Sequence, residues 1–233
     1  MIITIDGPAG SGKSTSAKLL AQRLGFTYLD PGAMYRAITY LALKNNAIDS
    51  LDDIIKLAEG SKIELGFFEG RTSVVLNGED VSLAIRSFEV NSNVSEVSVI
   101  PEVRSALVRM QQEIGSNTNI VAEGRDTGTT VFPEADLKIF LVASLEERAK
   151  RRLKEFQEKG EQVSLEEIEK NLTKRDMIDS QRAVSPLAKA SDAIEIDTSN
   201  TTIEEQVDLI LEKVIEAARH KGFEEINIYT ERK

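Results

Sequence analysis

Gly7-Pro8-Ala9-Gly10-Ser11-Gly12-Lys13-Ser14 spells G-x-x-x-x-G-K-S. It stands between the apolar, β-branched run Ile2-Ile3-Thr4-Ile5 and a segment in which Ala17, Leu20, Ala21 and Leu24 recur at helical spacing. Strand, glycine loop and helix together restrict the chain to the phosphate-loop class of α/β folds. Glycines let successive N–H groups wrap a polyphosphate, and the helix that opens behind them adds the positive end of its dipole. Lys13 is expected to reach the β- and γ-phosphates, and the Ser14 hydroxyl to hold Mg²⁺ through the nucleotide. A chance glycine-rich turn would leave the flanking strand and helix unexplained. The loop, from Gly7, Pro8, Ala9, Gly10, Ser11 and Gly12 through Lys13, Ser14 and Thr15, is therefore the expected nucleoside triphosphate site.

The whole chain narrows the possibilities by exclusion. Its 233 residues are enough for one full core with small inserts. No apolar stretch approaches the ~20 residues that cross a bilayer, and because the first residues already read as the core strand, no signal peptide is expected. The absence of cysteine excludes disulfides, iron–sulfur clusters and thiolate zinc sites, and fits a reducing cytoplasm. A net charge of −10 argues against nucleic acid as a partner while leaving room for a basic pocket around a small anion. The single histidine, His220, lies between Arg219 and Lys221 near the chain end and reads as a solvated residue; histidine-based triads are excluded. No large apolar face stands out, so a monomer is expected.

Strand signals recur at Tyr28-Leu29, Ile120 to Ala122, Lys138 to Val142 and Ala193 to Ile196, separated by helical patterns. Val103, Leu107, Met110 and Ile114 form one stripe opened by Pro101. Ser144–Glu147, Ser164–Glu167 and Thr202–Glu205 each match a capping box, the last ahead of Ile203, Val207, Ile210, Leu211 and Val214. This alternation predicts a three-layer α/β fold, a central parallel sheet covered by helices, with ligands at the C-terminal ends of its strands. Two segments break the rhythm. Residues 62–86 read as short strands, with Asn77-Gly78 as a tight hairpin, and predict a small antiparallel insert. Residues 150–174 are nearly all polar and predict either a solvated helix face or a mobile helical lid, with a turn at Gly160. The core then comprises 1–61, 87–149 and 175–233, and Ile226 to Tyr229 is a possible short terminal strand.

A phosphate loop is shared by several classes. No D-x-x-G switch follows any aspartate, which disfavours a GTPase, and Thr173-Lys174-Arg175-Asp176 imitates a guanine-reading motif within a charged helical stretch. Ile120-Val121-Ala122-Glu123 lacks the apolar run of an ordered Walker B strand. A phosphotransferase with a small-molecule acceptor remains. Arg36, Arg104, Arg125, Arg175 and Arg182 fall beside expected loops or helix starts, and Arg148, Arg151 and Arg152 share a helix face. Guanidinium groups grip phosphate bidentately. No carboxylate is marked out as a base, as a hydroxyl acceptor would need. A phosphate monoester, with a second pKa of about 6, needs none.

Six stretches carry a resemblance to bacterial cytidylate kinases: Gly7–Ser14; Gly32-Ala33-Met34-Tyr35-Arg36; Gly78 to Ser82; Pro101 to Arg104; Glu123 to Thr129; and Arg182-Ala183-Val184-Ser185-Pro186-Leu187. The chain resembles that family of nucleoside monophosphate kinases over most of its length. The resemblance implies ATP-dependent phosphorylation of CMP and dCMP with Mg²⁺, and a core, a monophosphate-binding insert and a lid that closes over ATP. It implies Ser95, Arg104 and Asp126 around the cytosine, with Tyr35, Arg36, Arg125 and Arg182 toward the monophosphate and Arg175 and Asp179 at the sugar. Arg148, Arg151 and Arg152 would meet ATP phosphates, and Lys13, Arg125, Arg182 and Arg151 form the expected catalytic set. Asp126 suits cytosine physically, since it can accept from the 4-amino group but would oppose the carbonyl of uracil; a mismatch of that kind costs about 1–3 kcal/mol. The alternatives are another small-molecule kinase, of UMP/CMP or shikimate type, and a nucleotide-binding regulatory module without turnover.

One residue departs from the family's pattern. Ser or Thr commonly precedes Gly-Ala-Met-Tyr-Arg, and here Pro31 does. Proline offers neither hydroxyl nor N–H, so it either removes a contact to the acceptor or merely stiffens the turn and opens a helix. Pro31→Ser is expected to lower KM for CMP and sharpen selection against UMP. Identical steady-state constants for the two proteins with CMP, dCMP and UMP would refute the first reading.

Overall fold

Backbone geometry at the start of the chain is set by Gly7. Its φ is +149°, and a Cβ there would stand 2.1 Å from the carbonyl oxygen of Leu141, so no side chain fits where the chain leaves the first strand. In the computed structural model, which describes residues 1–68, 71–158, 160 and 162–222, β1 (Ile2–Asp6) and α1 (Lys13–Leu24) flank the loop. β2 (Thr27–Leu29), α2 (Pro31–Lys44) and α3 (Leu51–Gly60) follow. Next come β3 (Ile63–Phe68), β4 (Arg71–Leu76) and β5 (Glu79–Asp80). The chain continues through α4 (Phe88–Ser98), α5 (Pro101–Ser116), β6 (Ile120–Gly124) and a π-helical turn at Thr127–Val131. β7 (Leu137–Val142), α6 (Leu145–Glu158), α7 (Leu165–Gln181), β8 (Ile194–Asp197) and α8 (Ile203–Lys221) complete it.

The five-stranded sheet runs β2-β6-β1-β7-β8 and is parallel throughout, as expected from the alternation of strands and helices. Period-two alternation divides each strand between two layers. Ile3 and Ile5 of β1, Val121 of β6, and Leu137, Ile139 and Leu141 of β7 pack with Ala17, Leu20 and Leu24 of α1 and Val207, Ile210 and Val214 of α8. Ile120 and Ala122 face the opposite layer, beside Val131 and Phe132. Asp6 and Glu123, at the ends of β1 and β6, stand at the C-terminal edge of the sheet.

The insert forms an antiparallel sheet β3-β4-β5. Asn77 (φ 52°) and Gly78 (φ 86°) are the two left-handed residues of its tight turn. Ile63, Val74 and Leu76 share one apolar cluster with Met34 and Ile38 of α2 and Leu107 of α5. The segment expected to form a lid lies within a helical hairpin: residues 150 and 174 fall inside α6 and α7, and Ala149, Ile168 and Leu172 pack against Ala9 of the loop. Pro31 opens α2 at its first position, where Asp30 caps the helix by accepting from the Ala33 N–H.

Two of the three capping boxes form in full, at Ser164 and Thr202. The box expected at Ser144 is only half built. Its hydroxyl accepts from the Glu147 N–H, but its own N–H donates to the Ser199 hydroxyl and the Glu147 carboxylate pairs with Lys150. A distant hydroxyl took the Ser144 N–H, and a neighbouring lysine took the Glu147 carboxylate. No helix among the described residues is long and apolar enough to cross a membrane. His220 is exposed, and the strand expected at 226–229 lies outside the described residues. Ile139→Ala, in the closed layer beneath the site, is expected to lower unfolding free energy by about 2–5 kcal/mol; Ser164→Ala, which removes one cap, by about 1 kcal/mol. Urea denaturation checks both, and equal losses would contradict this division.

Candidate active site

The loop and the start of α8 enclose a pocket of about 350 Å³ lined by Gly10, Gly12, Lys13, Ser14 and Thr15, by Arg151 and Arg152 of α6, and by Thr201, Thr202 and Gln206. Lys13 is buried, and its ammonium donates to the carbonyl of Pro8 at 2.7 Å. Burial first, and then the nearby Arg125, push the Lys13 ammonium well below the ordinary lysine value, while Glu123 and Asp6 pull against this. Ser14 donates its hydroxyl hydrogen to Glu123 Oε2 at 2.8 Å, and Tyr28 donates to the other carboxylate oxygen. Arg151 donates to the side chain and carbonyl of Thr198, which ties α6 to the loop after β8. Arg152 pairs with Glu155 on its own helix.

Arg148 is placed differently from its two neighbours. It is buried, donates to the carbonyls of Ala143 and Ala9 at 3.1 and 2.9 Å, and pairs with Asp176 at 2.6 Å. Its guanidinium braces the phosphate loop from behind and does not line the pocket. Asp176 also accepts from the Ala9 N–H at 3.4 Å. The guanine-reading imitation at 173–176 therefore lies in mid-helix, with its aspartate engaged.

Across the cleft, Asp126 is the centre of a buried chain of charge. Arg104 donates to its Oδ2 at 2.5 Å and Arg182 to its Oδ1 at 2.8 Å. The Arg104 guanidinium lies 5.4 Å from the centre of the Tyr35 ring, and its Nε, also buried, has no partner. Burial raises the Tyr35 phenol to about 12 despite the adjacent arginine. Burial, reinforced by Arg104, lowers the Arg182 guanidinium. Arg125 pairs with Asp179 at 2.7 Å, and Arg36 with Asp30 at 2.9 Å. Arg175 has no carboxylate partner among the described residues. The walls of the cleft, and then Arg125, push its pKa down to about 10. A guanidinium crowded by other cations and left without a carboxylate is a place for an anion.

The structure thus brings together two ion-paired groups, Arg104–Asp126–Arg182 and Arg125–Asp179, into one wall, with Arg36, Tyr35 and Arg175 beside it. Ser95 is exposed on α4, and no hydrogen bond joins its hydroxyl to that wall among the described residues. Residues not singled out from the sequence also shape the site: Asp6, Tyr28, Asp30, Asp176, Thr198 and Gln206, together with Glu123, which is visible there only as an incomplete Walker B signal. The available sign for Asp6 and Glu123 was their position at strand C-termini, where ligands gather in parallel sheets. Gln206 accepts from Ser16 and sits where a Cβ on Gly12 would approach it to 2.8 Å. Only the folded chain reveals that contact.

A profile of the family described as cytidylate kinase matches residues 3–216. The cytidylate kinase of Streptococcus gordonii is 52% identical over 214 residues, covering 91% of this chain and 95% of the relative. That of Lactobacillus gasseri is 49% identical over 214 residues, covering 91% and 93%. Among solved structures, a protein from Eubacterium ventriosum aligns with a TM-score of 0.52 at 13% identity, over 93% of this chain and 98% of that one, a likeness of fold alone.

The lowered Lys13 value gives a pH dependence. A cation whose pKa is depressed loses its charge as pH rises through that depressed value, and with it the attraction for polyphosphate. ATP affinity measured by calorimetry is expected to fall on the alkaline side at a pH below the ordinary lysine value. Lys13→Ala should bind weakly at every pH with no such fall, and a wild-type affinity that stays level up to the ordinary lysine value would contradict the assignment.

Proposed function

The chain belongs to the cytidylate kinase family, and on that premise we propose how its residues divide the work of phosphorylating CMP and dCMP to CDP and dCDP at the expense of ATP. The loop amides and Lys13 receive the ATP polyphosphate, with Arg151 and Arg152 lining the same pocket. Arg36, Arg125 and Arg182 receive the acceptor phosphate. An oxygen of that phosphate attacks the γ-phosphorus, the bond from γ-phosphorus to the bridging oxygen breaks, and ADP leaves. The acceptor is already ionised at neutral pH, so the protein's contribution is alignment and charge neutralisation.

The observation that carries the base assignment is the Arg104–Asp126–Arg182 chain. Each Asp126 oxygen has one lone pair engaged by an arginine, and a carboxylate has about four acceptor positions, so it can still accept from the cytosine 4-amino group. Arg104 retains an unpartnered Nε–H for a ring acceptor. Ser95, Asp179 and the sugar-side role of Arg175 complete the acceptor pocket in this proposal. Arg148 acts through the loop that it braces.

The donor set also fits Mg²⁺. Glu123 is a buried carboxylate held by two hydroxyls, with no ion-paired cation among the described residues. Because Ser14 gives its only hydroxyl hydrogen to Glu123, its lone pairs are free for an ion. No group of three or more metal-ligating side chains exists among the described residues, which suits an ion held jointly with nucleotide phosphates. Ser14, backed by Glu123, would hold it, and the ion would neutralise charge on the β- and γ-phosphate oxygens.

With ATP as donor, a panel of CMP, dCMP, UMP and shikimate read by ADP release is expected to show turnover for the two cytidylates above the others. Preference for UMP or shikimate would overturn the reading. Asp126→Asn should reduce the CMP-to-UMP ratio of kcat/KM by about 10- to 100-fold, the effect of mispairing a buried polar group.

A further inference from the structure

Tyr28 has an environment that nothing in phosphate or base binding accounts for. It is 1% exposed, although it ends in a hydroxyl and lies on β2, an edge strand of the parallel sheet. Its phenol donates to Glu123 Oε1, while Ser14 donates to Oε2 of the same carboxylate. Its ring meets Phe67 of β3 at 5.2 Å between centroids, tilted by 56°, and the Lys18 ammonium lies 5.5 Å from the ring centre. Phe67 belongs to the insert and Lys18 to the helix that follows the phosphate loop. One side chain therefore touches the insert, the first helix and the carboxylate behind Ser14.

We propose that Tyr28 is a positioning residue for the donor side of the site: its phenol fixes the rotamer of Glu123, Glu123 aims the Ser14 hydroxyl, and Phe67 of the insert holds the Tyr28 ring in place. The inference rests on the Mg²⁺-ATP reading above. A carboxylate held at one oxygen can swing about its last torsion, and with both oxygens engaged it cannot. Ser14 then has a fixed partner for its hydrogen and fixed directions for its lone pairs. Burial and the charge of Glu123 raise the Tyr28 phenol far above its ordinary value, so it remains a donor throughout the neutral range and is no acid or base of the reaction. The stack on Phe67 carries any displacement of β3 to Glu123.

Calorimetric titration with ATP, with and without Mg²⁺ and without acceptor, separates this role from turnover. In the unaltered protein Mg²⁺ is expected to tighten ATP binding; if it does not, the assignment of Ser14 and Glu123 to the ion fails and takes the inference with it. Where the wild type shows the gain, Tyr28→Phe keeps the ring stack and is expected to lose about tenfold of it, the effect of one hydrogen bond to a charged group. Metal-free ATP affinity and KM for CMP should stay level while kcat falls. An undiminished gain in Tyr28→Phe overturns the inference alone. Glu123→Gln should show the same defect, and adding Tyr28→Phe to it should cost nothing more; independent, multiplying losses would reduce Tyr28 to a packing residue. Should Tyr28→Phe fail to fold, Phe67→Leu, which leaves the phenol in place, is expected to show a smaller loss in the same direction, and no change there overturns the proposal.

Discussion

Asp6 ends the central strand as a buried carboxylate, and both of its oxygens are engaged by backbone. The N–H groups of Thr127 and Gly128 donate to it at 2.9 and 2.7 Å. Burial raises its pKa against the pull of those two amides, and the two bonds hold the turn that follows β6. That turn carries Arg125 and Asp126. With Gly7, whose lack of a side chain permits close approach to the carbonyl of Leu141, the ends of β1, β6 and β7 meet at one edge. The phosphate loop and Asp126 take their positions from that edge.

Electrostatic balance follows from the same compactness. A chain of net charge −10 concentrates arginines along one cleft, and carboxylates limit their mutual repulsion. Asp126 holds Arg104 and Arg182, Asp179 holds Arg125, Asp30 holds Arg36 and Asp176 holds Arg148. Most of these pairs are shielded from water, where losing one partner would leave an uncompensated charge. Their value lies in orientation: each guanidinium is pinned before any nucleotide arrives, which reduces the ordering that binding requires. Arg151 and Arg175 have no such carboxylate among the described residues; Arg151 is held by Thr198 instead.

The division between legible and illegible features runs along sequence distance. The glycine loop, the alternation of strands and helices that implies a parallel sheet, the Asn77-Gly78 hairpin and the caps at Ser164 and Thr202 rest on local pattern, and each was legible. Ser144 carries the same local signature, yet Ser199, 55 residues away, took its N–H while the nearby Lys150 took the Glu147 carboxylate. Arg148 shares helical spacing with Arg151 and Arg152, but packing of α6 against the loop turned it toward Ala9 and Asp176. Spacing placed the three arginines on one face without specifying the depth at which each would lie.

Local pattern and propensity suffice for a phosphate loop between strand and helix, a parallel sheet with a small antiparallel insert, and a cleft supplied with arginines. Those features need only the chain's own periodicity and the conformational limits of glycine, proline and capping side chains. The tertiary structure decided that Glu123 would meet Ser14 across 109 residues and that Asp126 would be shared by Arg104 and Arg182. It also decided that Tyr28 would stand between the insert and the phosphate loop. Such contacts depend on register between strands and on burial shared among distant segments, and neither exists until the sheet has closed.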